Sequence, residues 1–451
     1  MKRNEAERKR VAVIGTGISG MAAAWLLSNQ CDLTVYERNR RPGGHSNTVV
    51  LPTAKGEIAV DTGFIVYNEP AYPNLTALFE HLRVPTQFAD MSFAVSQNEG
   101  RLEYSSNLSG LFADRRNLFR PGFWAMLKDL RRFYRQAPQD LTRLEHADTT
   151  LGDYLASERY GTAFIDNHLL PMAAAIWSAP AQKILHYPAA AFLRFQDSHG
   201  LLKFRNRPRW KTVSGGSRRY VDRLTQAYKH LIRPATVAVR IYRESSCVKI
   251  RDDRGDVETF DHVVIACHAD EALALLDDPS PDERRLLGAF HYSDNLAVLH
   301  SDPSFMPRRR AVWASWNHIG GMADTSISTV TYWMNLLQSL PAEPPLFVTL
   351  NPARSPQDEL YRVRYQHPLF DRTAIAAQRL LWSLQGRRKT WYCGSYFGAG
   401  FHEDGLQSGL AVAEALGGSR RPWRVANENG RICVAPGNQT ATSDTRRELA
   451  A

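Results

Sequence analysis

Apolar and polar positions near the start of the chain follow the order strand, turn, helix, strand. An apolar run over residues 11–14 meets a glycine-rich turn, and apolar residues then recur at helical spacing, as at Met21 and Leu27. A second apolar run, over residues 33–36, ends in Glu37. This periodicity predicts two β-strands joined by an α-helix, which together form a βαβ unit.

The turn has the spacing of a dinucleotide-binding loop, GTGISG at residues 15–20. Gly15 permits the tight turn, Gly17 lets backbone amides approach a pyrophosphate, and Gly20 lets the helix pack on the strand. Glu37 is placed to accept hydrogen bonds from ribose hydroxyls. We therefore predict a nucleotide site, the alternative being a glycine turn in an unrelated fold. The predicted contacts in this unit are Gly15, Gly17, Ile18, Ser19, Gly20, Glu37 and Arg38.

The pattern predicts further elements downstream. Strands are predicted at 57–67, 92–95 and 260–267, a strand pair at 238–250, and a strand followed by a glycine turn at 390–400. Helices are predicted at 72–82, 218–231 and 401–416. The glycine-rich start of the last helix places free amides and the positive end of the helix dipole there. This favours a site for negative charge, the alternative being a capped helix without a ligand. Residues 1–9 and 417–451 are predicted to be flexible.

Two basic, aromatic stretches leave two interpretations open. Residues 119–136 combine an apolar stripe with flanking Lys128, Arg131, Arg132 and Arg135, as an interfacial amphipathic helix does. The alternative is a surface helix that packs the stripe on its own core. The second stretch, residues 201–211, is also basic and aromatic. With it, the lipid-surface interpretation is as well supported as the core-packing one.

Aromatic residues dominate a later part of the chain. The apolar helix predicted at 166–180 is interpreted as core rather than as substrate contact. Between residues 291 and 352, aromatic and amide side chains would form either an apolar channel with polar anchors or a large aromatic core. The channel interpretation names Trp313, Trp316, Trp333 and Asn335 as substrate contacts.

Composition narrows the class of protein. The 451 residues are 43% hydrophobic and 23% charged, which is typical of a globular chain with two substantial domains. Residues 11–31 lack formal charge, but their glycines and polar side chains argue against a membrane span, and Glu5 and Glu7 argue against a signal peptide. The five cysteines lack paired spacing and indicate reduced thiols in the cytoplasm. No HExxH, P-loop or GxSxG motif occurs, and we predict no metal site.

The net charge of +10 is compatible with several classes of binding partner. It would attract nucleic acid, anionic lipid or an acidic substrate. Neither basic stretch belongs to a recognisable nucleic-acid module, so we predict no nucleic-acid partner.

A second glycine pair follows Glu37, in Arg41-Pro42-Gly43-Gly44-His45. It resembles the RxGG extension of the FAD-binding amine oxidase and phytoene desaturase superfamily. More narrowly, DNHLLPMAAAIWS, AVWASWNH, TYWMNLLQ and YFGAGFHEDGLQSG resemble bacterial NAD/FAD-binding oxidoreductases encoded beside cyclopropane-fatty-acyl-phospholipid synthases. The resemblance covers most of residues 10–416.

The resemblance implies an α/β plus α+β protein with a two-domain, FAD-binding Rossmann-type fold of the glutathione reductase-like and amine oxidase-like kind, and an inserted substrate domain. It places the FAD-binding domain at 10–70, 208–290 and 385–416, and the substrate-binding domain at 71–207 and 291–384. FAD is expected to be non-covalent, because the chain lacks the cysteine motif for covalent attachment. Further FAD contacts implied by the resemblance are Gly43, Gly44, His45, Val237, Gly394 and Leu406.

The implied activity is that of an FAD-dependent dehydrogenase or desaturase acting on unsaturated or modified fatty acyl chains of phospholipid. Amine oxidases of the superfamily place a lysine at the flavin on a strand that aligns with residues 293–299, where this chain has Asn295. An amine or polyprenoid oxidoreductase is the alternative within the superfamily. A non-catalytic, FAD-bound partner of a lipid-modifying methyltransferase is the alternative from another class.

Proton transfer is assigned first to His402, with Glu403 and Tyr332 behind it. The alternative for His402 is a structural histidine at a helix start.

The substrate is expected to be a lipid or another apolar small molecule. The protein is expected in the cytoplasm, either free or peripheral on the inner face of the membrane.

Overall fold

The computed structural model describes residues 8–145, 147–177, 180–320 and 329–434. Its strands, in chain order, are β1 (Arg10–Ile14), β2 (Asp32–Glu37), β3 (Thr48–Thr53), β4 (Gly56–Asp61), β5 (Val66–Asn68), β6 (Thr86–Ala89), β7 (Phe93–Gln97), β8 (Leu102–Ser105), β9 (Trp210–Val213), β10 (Ile232–Pro234), β11 (Ala238–Arg243), β12 (Val248–Asp252), β13 (Val257–Phe260), β14 (His262–Ile265), β15 (His291–His300), β16 (Trp316–Ile319), β17 (Thr329–Trp333), β18 (Phe347–Leu350), β19 (Glu359–Leu369) and β20 (Thr390–Tyr392).

The α-helices are α1 (Ile18–Leu27), α2 (Pro73–His81), α3 (Leu108–Leu111), α4 (Pro121–Leu144), α5 (Leu151–Ser157), α6 (Thr162–Phe164), α7 (Leu170–Trp177), α8 (Ala181–Leu185), α9 (Ala189–Ser198), α10 (Arg218–Thr225), α11 (Ala269–Leu275), α12 (Pro281–Leu287), α13 (Met334–Leu337), α14 (Arg372–Gln378) and α15 (His402–Leu416). A π-helical turn spans Ile165–Leu169, and 3₁₀ turns span Arg115–Phe119, Lys229–Leu231, Pro303–Phe305, Arg310–Val312, Leu381–Leu384, Arg387–Lys389 and Ser395–Phe397.

Five strands form a parallel sheet in the order β10-β2-β1-β14-β20. In its centre Val13 lies opposite Val35 of β2 and Val264 of β14, and all three side chains are buried. Helix α1 connects β1 to β2 and is buried on almost every side, as expected for a helix covered by a further layer. The predicted βαβ unit of residues 11–37 is therefore confirmed.

Helices α1 and α15 run parallel and touch through glycines. A Cβ at Gly405 would lie 2.9 Å from Ile18 Cγ2, and one at Gly409 would lie 2.1 Å from Ser19 O. Near the other end, a Cβ at Gly418 would lie 3.1 Å from Leu26 O. Because a methyl group does not fit at Gly409, the close packing of the two helices depends on glycine. Both helices therefore start on the same side of the parallel sheet.

A second, seven-stranded sheet has the order β19-β15-β18-β17-β16-β7-β8. Its neighbouring strands are antiparallel except for β16 and β7, which are parallel. The hairpin β3-β4 and the small sheet β5-β9-β6 lie in the segments that join the two large sheets along the chain. A parallel Rossmann-type sheet with a separate mixed sheet confirms the predicted fold class, and the domain boundaries given above stay predictions.

Helix α4 packs its apolar stripe on the protein's own core. Phe123, Met126, Phe133 and Tyr134 are buried, so the structure favours the core-packing interpretation of this stripe. Helix α7 is likewise mostly buried, as predicted for the apolar stretch after residue 166. Within the described ranges, no helix combines the length and apolar character needed to cross a bilayer.

The segment after α15 differs from the expected flexible terminus. Residues 417–434 pack against the parallel-sheet part of the protein, where the buried Arg421 donates to Glu414 Oε1 at 2.9 Å and to Asn74 Oδ1 at 3.0 Å. Arg431 donates to Asp404 Oδ1 at 2.6 Å. Ion pairs and hydrogen bonds hold this segment, which is why its irregular sequence pattern did not predict order. The remaining parts of the predicted flexible termini, 1–7 and 435–451, lie outside the described residues.

Candidate active site

A cavity of about 1190 Å³ extends from the C-terminal edge of the parallel sheet to the seven-stranded sheet. We call the part beside β1 and β2 the sheet end and the part beside the seven-stranded sheet the far end. Gly17 and Glu37 lie at the sheet end, and Tyr332 and Tyr365 lie at the far end. Open α/β folds bind ligands outside the carboxyl ends of their parallel strands, which is where the sheet end lies.

The glycine loop leaves bare backbone at the sheet end. Gly15 has a φ of +99° and donates its N–H to Tyr36 O at 2.9 Å, which closes the turn onto β2. A Cβ at Gly17 would meet no atom within 4 Å, whereas one at Gly44 would lie 3.1 Å from Gly17 Cα. Helix α1 begins at Ile18, so its free N–H groups lie along this space. The loop therefore has the room and the positive end of a helix that a pyrophosphate requires.

Glu37 is fixed beside the cavity by backbone donors. Its carboxylate accepts from Thr16 N–H at 3.0 Å and from Asn39 N–H at 2.7 Å. The neighbouring Arg38 is paired with Glu271 at 2.6 Å. The buried carboxylate thus stands at the end of β2, in the position predicted for an acceptor of ribose hydroxyls.

Most of the predicted cofactor contacts reach the cavity. The lining includes Gly15, Gly17, Ile18, Ser19, Glu37, Arg38, Gly44, His45, Val237 and Gly394. Gly20, Gly43 and Leu406 lie behind it instead. A Cβ at Gly20 would lie 2.0 Å from Gly15 O, a Cβ at Gly43 would lie 2.9 Å from Ser46 O, and Leu406 is fully buried in the core. These three residues shape the loop and the helix contact, because packing rather than the cavity takes their space.

A second helix N-terminus faces the same cavity. Gly394, Ser395 and Gly400 line it just before α15 begins at His402. Because α1 and α15 run parallel, the positive ends of both helix dipoles lie on one side of the cavity. The predicted site for negative charge at this helix therefore has the required placement.

His402 lies in the cavity wall with one ring nitrogen already bonded. Its Nε2 lies 3.0 Å from both Ser46 Oγ and Tyr220 OH, and its ring stacks on Phe64 at 3.8 Å. Burial lowers the pKa of His402 to about 3, so the imidazole is neutral. This geometry favours the structural alternative for His402 over proton transfer.

Glu403 points away from the cavity and caps another helix. Its carboxylate accepts from Asn74 N–H at 3.0 Å and from Leu75 N–H at 2.9 Å, at the start of α2. It also accepts from Gln407 Nε2 at 2.8 Å. A fully buried carboxylate that satisfies the free amides of α2 is structural, which differs from the catalytic role expected for Glu403.

Tyr332 and Trp316 form part of the far end, whereas the other predicted pocket residues do not. Tyr332 donates its hydroxyl to Ala175 O at 3.3 Å, and burial raises its pKa, so it stays protonated at neutral pH. Trp316 meets the Tyr332 ring edge-on at 4.8 Å. Both residues are walls of the cavity.

Trp313, Trp333 and Asn335 lie outside the cavity lining, contrary to expectation. The two indoles meet edge-on at 5.4 Å, and the Arg310 guanidinium lies 3.7 Å above the Trp313 ring. Asn335 holds the loop before β18, because it donates to Pro344 O at 2.9 Å and accepts from Leu346 N–H at 2.6 Å. For these three residues the aromatic-core interpretation describes the structure.

Asp61, at the end of β4, forms hydrogen bonds with residues at the start of α10 and just after α13. This buried carboxylate accepts from Ser217 N–H at the start of α10 with both oxygens at 2.9 Å, and from Gln338 Nε2 at 2.8 Å. Gln338 in turn accepts from Asp61 N–H at 2.9 Å. Burial raises the pKa of Asp61 to about 6, and the hydrogen bonds from Thr48, Ser217 and Gln338 limit the rise.

Sequence reasoning missed His367, a histidine of β19 that lines the far end. Leu296 N–H donates to Asn351 Oδ1 at 2.9 Å, so the amide nitrogen of Asn351 donates to Asn295 Oδ1 at 2.7 Å. The amide nitrogen of Asn295 then faces His367 Nδ1 at 3.0 Å. Because an amide nitrogen can only donate, His367 Nδ1 accepts and Nε2 carries the proton.

The neutral state of His367 follows from its surroundings. Burial, with a smaller contribution from nearby His268, lowers the pKa of His367 to about 4. The ring therefore presents an N–H donor to the cavity. The signal in the sequence was Asn295, which occupies the strand where the resemblance placed a lysine, but its partner lies 72 residues away.

His45 and His268 stand near His367 along the cavity. The His45 ring stacks on Tyr365 at 4.8 Å and lies 5.5 Å from His367. Burial and the neighbouring imidazoles hold the pKa of His45 well below its usual range. Within the described chain, His45 Nε2 and His268 Nδ1 are buried without a hydrogen-bond partner. Such unpaired buried nitrogens are typical of groups that a ligand satisfies.

These features fit FAD. The open space at Gly17, the two helix N-termini and the acid at the end of β2 suit a dinucleotide, and the unpaired nitrogens of His45 and His268 offer partners to a bound group. A Rossmann-type sheet with this loop, facing a second sheet across the cavity, defines a dinucleotide-binding protein. The chain belongs to the family of flavin-containing amine oxidoreductases, whose family model matches residues 18–308. It is therefore a flavin-dependent oxidoreductase, as expected.

Solved structures with the same fold come from proteins with different activities. A CLA-producing fatty acid isomerase from P. acnes has 15% identity and a TM-score of 0.62, over 91% of this chain and 99% of its own. Cyclohexylamine oxidase from Brevibacterium oxydans IH-35A has 16% identity and a TM-score of 0.61, also over 91% and 99%. A double mutant of putrescine oxidase has 14% identity and a TM-score of 0.63 over the same shares. No curated protein matches the sequence.

Proposed function

We propose that this protein is an FAD-dependent oxidoreductase that acts on an unsaturated or modified fatty acyl chain. The observation that carries the proposal is the apolar far end of the cavity. It is lined by Met91, Phe93, Met172, Ile176, Trp177, Trp316, Tyr332, Leu350 and Val363. Apolar walls of this kind take up a hydrocarbon chain and exclude water from it.

The charges on the cavity support an acid rather than an amine as substrate. Arg207 and Arg364 line it and have no carboxylate partner within the described chain. Glu37 and Glu271 lie at the sheet end, and Asp294 accepts from Gln366 Nε2 at 2.9 Å. No lysine is found in the lining formed by the described residues. Two unpaired guanidinium groups suit a carboxylate or phosphate head group, whereas an ammonium group would be repelled.

Bound FAD supplies a two-electron acceptor. The protein positions the substrate, excludes water from it and offers one hydrogen-bond donor. The walls hold the acyl chain, and His367 offers its Nε2–H to an acceptor in the cavity. We expect FAD to be held non-covalently. Cys267 lines the cavity, but burial raises the pKa of its thiol, so little thiolate exists to form a bond.

The structural relatives are compatible with more than one substrate. The P. acnes protein is a fatty acid isomerase, which supports an acyl substrate for this cavity. Two other relatives are amine oxidases, which is the alternative within the family. The lining without lysine and with unpaired arginines favours the acyl chain.

The test is an anaerobic absorbance titration of the FAD-loaded protein. Detergent-dispersed phospholipid with monounsaturated acyl chains, the matching saturated phospholipid, and the amines putrescine and cyclohexylamine are added separately. We expect the long-wavelength flavin band to bleach with the unsaturated lipid only. Mass spectrometry of the recovered acyl chains then identifies the bond that lost hydrogen.

Other outcomes would replace the proposal. Bleaching by an amine alone would make the protein an amine oxidase. A flavin that stays oxidised with every lipid, in a protein that co-purifies with a lipid-modifying methyltransferase, would favour the non-catalytic partner. A protein that binds no FAD after reconstitution would contradict the assignment of the sheet end.

A further inference from the structure

Large apolar side chains are exposed around the start of α4. Leu108 and Phe119 are each 85% exposed, and Trp124 is 48% exposed. Their backbone is held firmly, because Asp114 caps the 3₁₀ turn Arg115–Phe119 and Asn117 Nδ2 donates to Glu103 O at 3.0 Å. The Trp124 indole N–H donates to Leu118 O at 3.0 Å, which ties the ring to the same turn. The structure thus presents these side chains to the outside on a fixed support.

Unpaired cations continue from Trp124 along one face of α4. Lys128, Arg131 and Arg135 follow at spacings of four, three and four residues, so all four side chains project from one side of the helix. All four are exposed, and no carboxylate of the described chain pairs with the three cations. Arg132 differs, because it lies on the neighbouring face and pairs with Asp129 at 3.0 Å. We call Leu108, Phe119, Trp124, Lys128, Arg131 and Arg135 the α4 face.

One opening of the cavity lies beside the α4 face. Tyr134, next to Arg135, lines the cavity, and its ring packs against that of Phe204 at 4.6 Å. Phe204 is 57% exposed, in a loop with the exposed cations Lys203 and Arg205. Ser106 and Arg207 are exposed and also line the cavity, so the cavity reaches the surface here.

We propose that the α4 face docks on the surface of an anionic phospholipid bilayer. Exposed leucine, phenylalanine and tryptophan side chains enter the boundary between head groups and acyl chains, and unpaired lysine and arginine attract anionic head groups. Charge complementarity selects this occupant, because the cations of the face lack acidic partners among the residues that the structure describes. A nucleic acid would also attract the cations and would stack on Phe119 and Trp124, so DNA binding is one of the outcomes that the test below separates.

Docking in this orientation places this opening of the cavity against the lipid. An acyl chain would then pass from the bilayer into the apolar far end without crossing water. This consequence rests on the proposed function, whereas docking itself is measured without turnover. The two proposals therefore fail separately.

The test is flotation of the full-length, FAD-loaded protein with vesicles. Vesicles of phosphatidylglycerol and phosphatidylethanolamine are compared with vesicles of phosphatidylcholine, at low and high salt. We expect binding to the anionic vesicles, weaker binding at high salt, and little binding to phosphatidylcholine. Binding that is equal on both kinds of vesicle would overturn the role of the cations.

Matched variants locate the contact. Phe119→Ser with Trp124→Ser tests the apolar part, and Lys128→Gln with Arg131→Gln tests the charged part. We expect each pair to weaken binding to anionic vesicles, with about fivefold lost for each cation removed. The apolar controls are Val257→Ser with Leu360→Ser, which remove exposed side chains of β13 and β19. The charge control is Lys55→Gln with Arg254→Gln, which removes two exposed cations from hairpin turns.

The readouts separate docking from folding and from other partners. Bound FAD and near-ultraviolet circular dichroism are recorded for every variant, so that a loss of binding counts only in a folded protein. Unchanged flotation of both test pairs would contradict the proposal. Binding of a short DNA duplex that depends on Lys128 and Arg131, without vesicle binding, would assign the face to nucleic acid instead.

Discussion

A chain of amides decides which nitrogen of His367 carries the proton. The backbone N–H of Leu296 fixes Asn351, Asn351 fixes Asn295, and Asn295 donates to His367 Nδ1. The resemblance aligns a lysine of amine oxidases with the strand that holds Asn295, and in this chain the Asn295 amide sets the state of a histidine. His367 therefore offers a neutral N–H donor, because its Nδ1 accepts from Asn295.

Asn295→Asp tests this assignment. A carboxylate beside Nδ1 would stabilise the imidazolium, so we expect the pKa of His367 to rise from about 4 towards or above its usual value. Proton NMR of the histidine ring measures the titration, and His367→Gln identifies the signal. Ser293→Ala removes one acceptor of the Asn295 amide, the Ser293 Oγ at 3.2 Å, without adding a charge, so the pKa of His367 should stay low. An unaltered His367 pKa in Asn295→Asp would contradict the proposed chain of hydrogen bonds.

His402→Gln tests the role of the histidine at the start of α15. Because His402 Nε2 is held by Ser46 and Tyr220, we expect FAD binding to persist and kcat to fall by less than about tenfold. Loss of a positioned acid or base would instead cost roughly a hundredfold or more and change the pH profile. Steady-state kinetics across pH distinguish the two results.

At this scale the sequence predicted the residues that act through local geometry. Gly15, Gly17 and Glu37 occupy their predicted places, because the βαβ unit is contiguous and its steric demands appear in the spacing. His367 was not found, because its role comes from strand pairing between distant segments. Trp313 and Trp333 were misplaced for the same reason, since composition does not indicate which side of a sheet faces a cavity.

At the level of elements, regular periodicity predicted the strands and helices. It did not predict the segment whose order depends on long-range ion pairs. The strands around residues 92–95 and 260–267 and the helices α2 and α15 appear close to their expected bounds. The predicted strand over 57–67 is interrupted at residues 62–65, all four of which line the cavity. The segment 417–434 has no periodicity to detect, because its order comes from Arg421 and Arg431.

Arg421→Ala tests what holds this segment. The guanidinium is buried and bonded to Glu414, Asn74 and Asn429, so its removal leaves buried acceptors without a donor. We expect the free energy of unfolding to fall by about 3–5 kcal/mol. Denaturant unfolding of the FAD-loaded protein measures the loss. Arg424→Ala, at an exposed position in the same segment, should change stability by less than about 0.5 kcal/mol.

The whole molecule should be sensitive to acid. Burial lowers the pKa values of His168 and His318 to about 4 and that of His199 to about 3. The unfolded chain takes up protons below about pH 6.5 while the folded chain does not, so stability is lost as pH falls from 6.5 towards 3–4. His168 and His318 each contribute up to about 3 kcal/mol to this loss, and His199, with the lowest pKa, contributes more. Asp61 acts in the opposite direction, because its raised pKa favours the folded state at low pH.

Urea unfolding between pH 7 and pH 4 measures this dependence. We expect the midpoint to fall with pH, and His318→Gln to reduce the slope because one buried histidine is removed. His230→Gln, at an exposed position, should leave the slope unchanged. A midpoint that rises as pH falls through this range would mean that carboxyl groups such as Asp61 dominate.

The hydrogen bonds of Asp61 also bear on how a substrate enters and leaves the cavity. A swing of one sheet away from the other would break the contacts of Asp61 with Ser217 and Gln338 and leave a buried carboxylate unsatisfied. Breaking these bonds costs free energy, so we expect the two sheets to keep their relative positions. Under the proposed function, an acyl chain would enter end-on, and the length of tail to be withdrawn would then govern the rate of product release.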